Sequence, residues 1–194
     1  MLNAQMQVFT QVVNVSPEYT LSGIEEWFPR FAELNVVYDS SGACMSYDPN
    51  LSAPSDLRLG KARVQEMVPM QMIAEKGGRV SLGSDWPVSG WISEYRPLVA
   101  IATAMTRTID GRKHIDPLGG AGAGVDVDVA IRAATINAAW NLNMDDEIGS
   151  LEVGKKAEIV VLDKDLYEID PNDISEVDVL FTMMGGEVVY DHRE

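Results

Sequence analysis

The chain has 194 residues, 46% of them hydrophobic, and a formal net charge of -15. This length suits one domain or slightly more, and the apolar share allows a sizeable core. The charge argues against a nucleic-acid partner and against anionic membrane surfaces. We recognise no signal peptide and no apolar run of about 18 residues, so we expect no membrane-spanning helix. Cys44 is the single cysteine, which fits a reducing compartment, and we expect a cytoplasmic protein.

The first predicted elements alternate between strands and helices. Met6–Val15 is apolar and rich in valine, and it predicts a strand. Ser22, followed three residues later by Glu25, resembles a capping box and favours a helix start. Asn35–Asp39 has β-branched content and predicts a second strand. Residues 39–60 are rich in Ser, Gly, Pro, Asn and Asp, and they predict a long loop.

A helix, a tight turn and a buried strand are predicted next. Lys61–Lys76 has a helix-like pattern, and two glycines follow it as a stop signal. The run from Val80 then predicts a short strand that ends in the carboxylate of Asp85. Catalytic groups of parallel α/β barrels lie at this end of the strands, so Asp85 is a candidate catalytic residue. The alternative is that Asp85 only caps the next turn, since Pro87 forces the chain to turn away there.

The second half of the chain changes character near residue 148. Before this point two helices are predicted, with a glycine-rich stretch between them that favours a surface loop over a phosphate-binding loop. After it, three strands are predicted, and Gly185-Gly186 predicts a hairpin turn between the last two. The predicted helices are Pro97–Arg107 and Asp128–Leu142; the predicted strands are Ala157–Asp163, Val177–Met184 and Glu187–Tyr190.

Four segments together resemble the C-terminal half of a metal-dependent amidohydrolase. They are Gly83–Val88 (GSDWPV), Ala133–Ala139 (AATINAA), Ile148–Asp163 (IGSLEVGKKAEIVVLD) and Gly185–Tyr190 (GGEVVY). Within the amidohydrolase superfamily, the chain is most similar to the N-acyl-D-amino-acid-deacylase-like branch and related predicted TIM-barrel metal-dependent hydrolases.

The resemblance implies a fold and an activity. The fold is α/β: residues 1–148 would form the last strands and helices of a partial (β/α)8 TIM barrel, and residues 149–194 a composite β-sandwich lobe. The activity is hydrolysis of carbon–nitrogen bonds other than peptide bonds, on a small-molecule substrate, by a water activated on a divalent metal, for which zinc is the first choice. By this likeness, Asp85 ligates the metal and exchanges a proton with the attacking water.

The chain departs from the family in its histidines. Family members hold their metals through a His-x-His pair and further histidines, whereas this sequence has only His114 and His192. His114 lies in a predicted surface loop and His192 in the C-terminal tail. Asp85 is therefore the only surviving candidate ligand, and one carboxylate is too few for a hydrolase site. We expect the isolated chain to bind metal weakly or not at all and to be catalytically incomplete.

Two further residues are candidates for the substrate side of the site. Trp86 follows the candidate catalytic aspartate, and packing as a hydrophobic plug is the alternative. Arg107 follows a predicted helix and can point its guanidinium toward an acidic substrate group. An exposed cation that interacts with the helix dipole is the alternative for Arg107.

Missing barrel strands imply partners. A partial sheet has open edges that pair readily with another chain, so we expect a homo-oligomer or a complementing N-terminal half. The alternative to an enzyme is a non-catalytic fragment or pseudoenzyme that acts as an oligomerising interaction module. A doubly wound α/β binding domain is a third possibility, which the lack of a phosphate-binding fingerprint disfavours.

Overall fold

The computed structural model describes residues 27–47, 49–84, 86, 95–109 and 115–193. This part of the chain is a mixed α/β structure with two small sheets. Its elements in chain order are α1 (Pro29–Glu33), β1 (Val37–Ser41), α2 (Pro49–Leu59), α3 (Lys61–Gln65), α4 (Met70–Glu75), β2 (Arg79–Gly83), α5 (Pro97–Thr106), α6 (Val127–Ala134), α7 (Ile136–Asn141), β3 (Ile159–Leu162), β4 (Val179–Met184) and β5 (Glu187–Asp191). Short 3₁₀ helices add Gly42–Met45 and Pro171–Glu176. None of the helices within these ranges has the length and hydropathy that crossing a bilayer requires.

The first sheet is a parallel pair of strands, β1 and β2. Tyr38 lies opposite Val80 in the register, and both side chains belong to the main hydrophobic core together with Ile73 of α4. Asp39 lies opposite Ser81, and these side chains share the other face of the pair because successive strand residues point to opposite sides. Tyr38 and Val80 thus join the core on one face of the pair, while Asp39 and Ser81 make a polar contact on the other.

The second sheet is antiparallel, with the strand order β3-β4-β5. Gly185 and Gly186 join β4 to β5, and both have positive φ angles, 57° and 86°. Glycine adopts such angles without steric cost, which is why the pair makes a tight hairpin. The predicted hairpin is confirmed, and every residue of β5 is exposed.

The hydrophobic core draws on residues from both sides of position 148. Ile174 in the second 3₁₀ helix is fully buried, and Leu166 and Val177 join the same core. This 3₁₀ helix packs against α5. The C-terminal segment therefore contributes to the main hydrophobic core as well as forming the second sheet. A domain boundary at residue 148 stays a prediction.

The predicted loop at residues 39–60 is wrong over most of its length. The segment contains the 3₁₀ helix Gly42–Met45 and the eleven-residue helix α2. Pro49 begins α2, a position where the missing N–H costs nothing. Tyr47 then donates a 2.6 Å hydrogen bond to Asp56 and ties the helix to the chain that precedes it. The loop was predicted from the abundance of Ser, Gly, Pro, Asn and Asp, and one of these residues, Pro54, lies inside the helix.

Two predicted helices are each interrupted once. Lys61–Lys76 contains α3 and α4, separated by a turn in which Val68 has a φ of 59°. Asp128–Leu142 contains α6 and α7, which meet at Thr135 with φ -124° and ψ -99°. Gly149 packs directly against this second break, where a Cβ would lie 2.7 Å from the Cβ of Ala139. Tertiary packing overrides local helix propensity at both places.

Candidate active site

The carboxyl ends of β1 and β2 lie at one edge of the first sheet, because the two strands are parallel and in register. Ser41 lies opposite Gly83 at the ends of the strands. In parallel α/β folds this edge carries the chemistry. The predicted catalytic residue, Asp85, comes two positions after Gly83 and lies outside the described residues, so its assignment stays a prediction.

Asp39 places a second carboxylate next to this edge. The hydroxyl of Ser81 donates a 2.5 Å hydrogen bond to Oδ1 of Asp39 across the strand pair. Ser81 is buried and Asp39 is half-buried, so the bond is partly sheltered from bulk water. Burial raises the pKa of Asp39, and the hydrogen bond from Ser81 offsets part of that rise. The site therefore holds a half-buried carboxyl group, and the hydrogen bond from Ser81 offsets only part of the cost of burying its ionised form.

Gly83 keeps the space beside this carboxylate open. A Cβ at Gly83 would lie 3.4 Å from Oδ2 of Asp39 and 4.0 Å from Oδ1, and it would meet no other described atom within 4 Å apart from its chain neighbours. Sequence reasoning missed Asp39 and treated it as the end of a strand. The available signal was an acidic residue inside a short β-branched strand, which is unusual unless the carboxylate has a role.

Trp86 is exposed at the end of the same edge. Its side chain is 58% exposed and meets Tyr95 edge to face, with the ring centroids 6.0 Å apart. The backbone N–H of Trp86 donates to the hydroxyl of Ser84. The ring does not plug the core. A substrate-side role for Trp86 agrees with its exposure and stays a prediction.

Arg107 lies at the end of α5, as predicted, but it is buried. The side chain is 2% exposed, and the residue adopts a left-handed conformation with a φ of 60°. Its guanidinium donates three hydrogen bonds to backbone carbonyls: Nε to Leu118 at 3.1 Å, one terminal nitrogen to Val68 at 3.0 Å and the other to Met67 at 2.8 Å.

These bonds give Arg107 a structural function. They join the end of α5 to the turn between α3 and α4 and to the segment around Leu118, whose backbone N–H also donates to the carbonyl of Arg107. Burial lowers the pKa of Arg107 to about 10, which leaves the guanidinium charged at neutral pH. The alternative of an exposed helix-end cation is wrong; the substrate-side role stays a prediction that these three carbonyl bonds do not support.

The two histidines do not add to the site within the described residues. His192 is exposed beyond the end of β5, with its ring 6.3 Å from that of Tyr190. His114 lies outside the described residues. The tail position predicted for His192 is confirmed.

Comparison with known proteins decides the family. The profile of the amidohydrolase family matches residues 17–190. The chain belongs to the amidohydrolase family. It is 32% identical over 126 residues to an N-substituted formamide deformylase from Arthrobacter pascens, which covers 65% of this chain and 22% of the relative. It is 30% identical over 159 residues to a 5-methylthioadenosine/S-adenosylhomocysteine deaminase from Thermoanaerobacter pseudethanolicus, covering 77% of this chain and 34% of the relative.

Solved structures show the same fold relationship. An adenosine deaminase from Xanthomonas campestris with bound zinc superimposes on this amidohydrolase chain with a TM-score of 0.60 and 21% identity, over 91% of this chain and 37% of the other. An amidohydrolase from Thermotoga maritima gives a TM-score of 0.53 and 21% identity, over 87% and 35% of the two chains. The chain therefore spans only about a third, or less, of the proteins that it matches. The family resemblance found in the sequence is confirmed; the deacylase-like branch stays a prediction.

The described residues do not fit a metal centre by themselves. Zinc is bound in the adenosine deaminase structure. Across the described part of this amidohydrolase chain, however, no group of three or more His, Cys, Asp or Glu side chains is close enough to hold a metal. Asp39 is a single donor, and a hydrolytic zinc needs three protein ligands. Such a centre would need donors from outside these residues.

Proposed function

We propose that this chain is the C-terminal portion of a hydrolase that acts on carbon–nitrogen bonds, other than peptide bonds, of a small-molecule substrate. The observation that carries the proposal is the family match over residues 17–190. The relatives at 30% identity or more include a formamide deformylase and a deaminase, both named for reactions at carbon–nitrogen bonds. Since the chain spans about a third of their length or less, the rest of the enzyme would be supplied by other residues.

The proposed architecture is the last part of a (β/α)8 barrel followed by part of a β-sandwich lobe. The parallel pair β1 and β2 would be two neighbouring barrel strands, which agrees with their parallel register and with the place of Tyr38 and Val80 in the hydrophobic core. The antiparallel sheet of β3, β4 and β5 would belong to the lobe. The polar face of Asp39 and Ser81 would then point toward the barrel interior, where amidohydrolase chemistry would take place.

In this proposal Asp85 is the metal ligand and the group that exchanges the proton. When bound, a divalent ion such as zinc supplies an activated water at neutral pH. Asp85 follows a strand whose carboxyl end lies at the functional edge, and a carboxylate there can hold a proton and pass it on. Trp86, exposed at the same edge, would line the substrate side. The described residues do not complete a ligand set for such an ion.

Complementation tests the proposal. The chain is co-expressed with the N-terminal portion of the Arthrobacter pascens relative, and both the complex and the chain alone are measured for zinc content and for hydrolysis of a panel of formamides and aminopurines. We expect little zinc and little turnover from the chain alone, and both to rise in the complex. Asp85→Asn should abolish turnover of the complex, whereas Asp146→Asn, at an exposed turn, should not. Turnover that survives Asp85→Asn contradicts the proposed role.

A second candidate function, an oligomerising interaction module without catalysis, is favoured by one observation. Both outer strands of the C-terminal sheet expose apolar side chains: Val160 and Val161 on β3, and Val188, Val189 and Tyr190 on β5. Outer strands with exposed apolar residues pair readily with another chain. Light scattering tests this candidate: we expect a homo-oligomer that Val188→Lys shifts toward monomer. A monomer at all concentrations argues against it.

A further inference from the structure

The carboxylate of Asp39 has one oxygen engaged and one oxygen available. Oδ1 accepts the hydrogen bond from the hydroxyl of Ser81. Within the described part of the chain, no donor to Oδ2 is found. Ser81 lies on β2 directly opposite Asp39 and is buried. The bond therefore orients the carboxylate, with Oδ1 toward Ser81 and Oδ2 left for another donor.

Oδ2 faces the place where Gly83 lacks a side chain. A Cβ there would be in ordinary van der Waals contact with Oδ2, at 3.4 Å, and apart from Asp39 and the chain neighbours no described atom would lie within 4 Å of it. A ligand atom could take the same position. Gly83 also ends β2, so this space is at the strand edge that the proposed function makes the substrate side.

We infer that Asp39 is a binding residue for a positively charged nitrogen group of the substrate, an ammonium, amidinium or guanidinium that donates an N–H to Oδ2. That this ligand is the substrate rests on the proposed function; that Asp39 binds a cation does not. An ionised carboxylate accepts hydrogen bonds and donates none, and its bonds to charged N–H donors are the strongest it makes. The net charge of -15 of the whole chain likewise favours association with cations over anions.

The energetics of the free site agree with this assignment. Burial raises the pKa of Asp39, and among the described residues only the hydrogen bond from Ser81 favours its ionised form. A bound cation would supply a compensating charge. A carboxylate with a purely structural function would already have its donors in place, as buried polar groups in proteins generally do.

Binding of methylguanidinium, compared with its neutral analogue N-methylurea, tests the inference on the whole chain. Both probes are titrated while the side-chain carboxyl resonance of Asp39 is followed by ¹³C NMR. We expect methylguanidinium to shift this resonance and to bind at least about tenfold more tightly than N-methylurea, because only the cation makes a charge-assisted bond.

Three variants sharpen the test. Asp39→Asn keeps the shape and the oxygen that Ser81 contacts but removes the charge, and we expect at least about a tenfold loss of methylguanidinium affinity. Gly83→Ala keeps the charge and fills the space beside Oδ2, and it should also weaken binding. Asp146→Asn removes the same charge at an exposed turn and should leave affinity unchanged. Circular dichroism spectra of all three establish that the fold is retained.

Each outcome bears on one proposal at a time. Equal affinity of wild type and Asp39→Asn, or equal binding of N-methylurea, overturns the inference even if complementation yields an active zinc enzyme. Binding that depends on Asp39 and Gly83 supports the inference even if no hydrolysis is found, and in that case it is the proposed reaction that fails.

Discussion

The two sheets of this molecule are built from similar residues but differ in how completely they are covered. Val80 in the parallel pair is 1% exposed, whereas Val160 and Val188 in the antiparallel sheet are 57% and 54% exposed. The same side chain thus contributes its full burial energy in one sheet and about half of it in the other. The parallel pair is stabilised within the described chain, while the antiparallel sheet has apolar surface available for another partner.

Polar interactions differ between the two regions in the same way. Around the parallel pair they are sheltered: Ser81 bonds to Asp39, and the side-chain amide of Asn137 donates to the carbonyl of Val80 at 2.9 Å. In the antiparallel sheet they are at the surface, as in the pair between Arg193 and Asp191. Buried hydrogen bonds are costly to leave unmade and surface ion pairs contribute little. Matched substitutions in the two regions should therefore have unequal effects.

The largest difference is expected for arginine. Arg107→Met removes three hydrogen bonds to backbone carbonyls, of which, within the described chain, only that of Val68 keeps another donor, the N–H of Met70, and we expect a loss of about 3 kcal/mol or more in the free energy of unfolding. Arg193→Met removes an exposed ion pair and should change the urea midpoint little. Urea denaturation followed by circular dichroism measures both variants. Equal effects of the two substitutions would mean that the bonds of Arg107 do not hold the fold together.

The second difference is expected for valine. Val80→Ala removes two methyl groups from the core and should cost about 2 kcal/mol, since transfer and cavity terms add. Val188→Ala acts on a half-exposed side chain and should cost less than about 1 kcal/mol. The same denaturation experiment, at low protein concentration, gives both values. If Val188→Ala is as costly as Val80→Ala, then β5 is covered in solution by a partner chain.

The sequence was sufficient where a local signal determines the structure. The helix that Pro97 begins, the strand after Gly78 and the hairpin at Gly185-Gly186 were all predicted, because proline, glycine and β-branched residues act within a few positions. The family could be recognised for the same reason, since its motifs are short continuous segments.

Long-range contacts set the limit of prediction. The carboxylate of Asp39 is defined by Ser81, 42 positions later, and Arg107 bonds to carbonyls 39 and 40 positions earlier. Nothing adjacent in the sequence marks either residue as buried. The break at Val68 is partly non-local, because the carbonyl of that residue accepts a bond from Arg107 as well as one from the N–H of Met70. A candidate site formed by two strands therefore needs the strand register, which only the structure gives.

The smallest expected effect is a pH dependence that distinguishes the polar face of the parallel pair from the surface of the antiparallel sheet. The pKa of Asp39 in the folded chain is raised above its ordinary value of 3.8, so the folded state binds this proton more tightly than the unfolded state does. As the pH rises from 3.8 through the raised folded pKa, Asp39 ionises more readily in the unfolded chain than in the folded chain. The free energy of unfolding therefore falls over this range. Asp39→Asn cannot ionise and keeps the bond from Ser81, so it should melt at a higher temperature than wild type at pH 7, with the difference disappearing toward pH 3.8.

The matched control is Asp191 in the antiparallel sheet. Asp191 has its pKa lowered by Arg193, so Asp191→Asn should not raise the melting temperature at pH 7. A lower melting temperature for Asp39→Asn at pH 7 would show that the charge of this carboxylate stabilises the fold and is already compensated without a ligand.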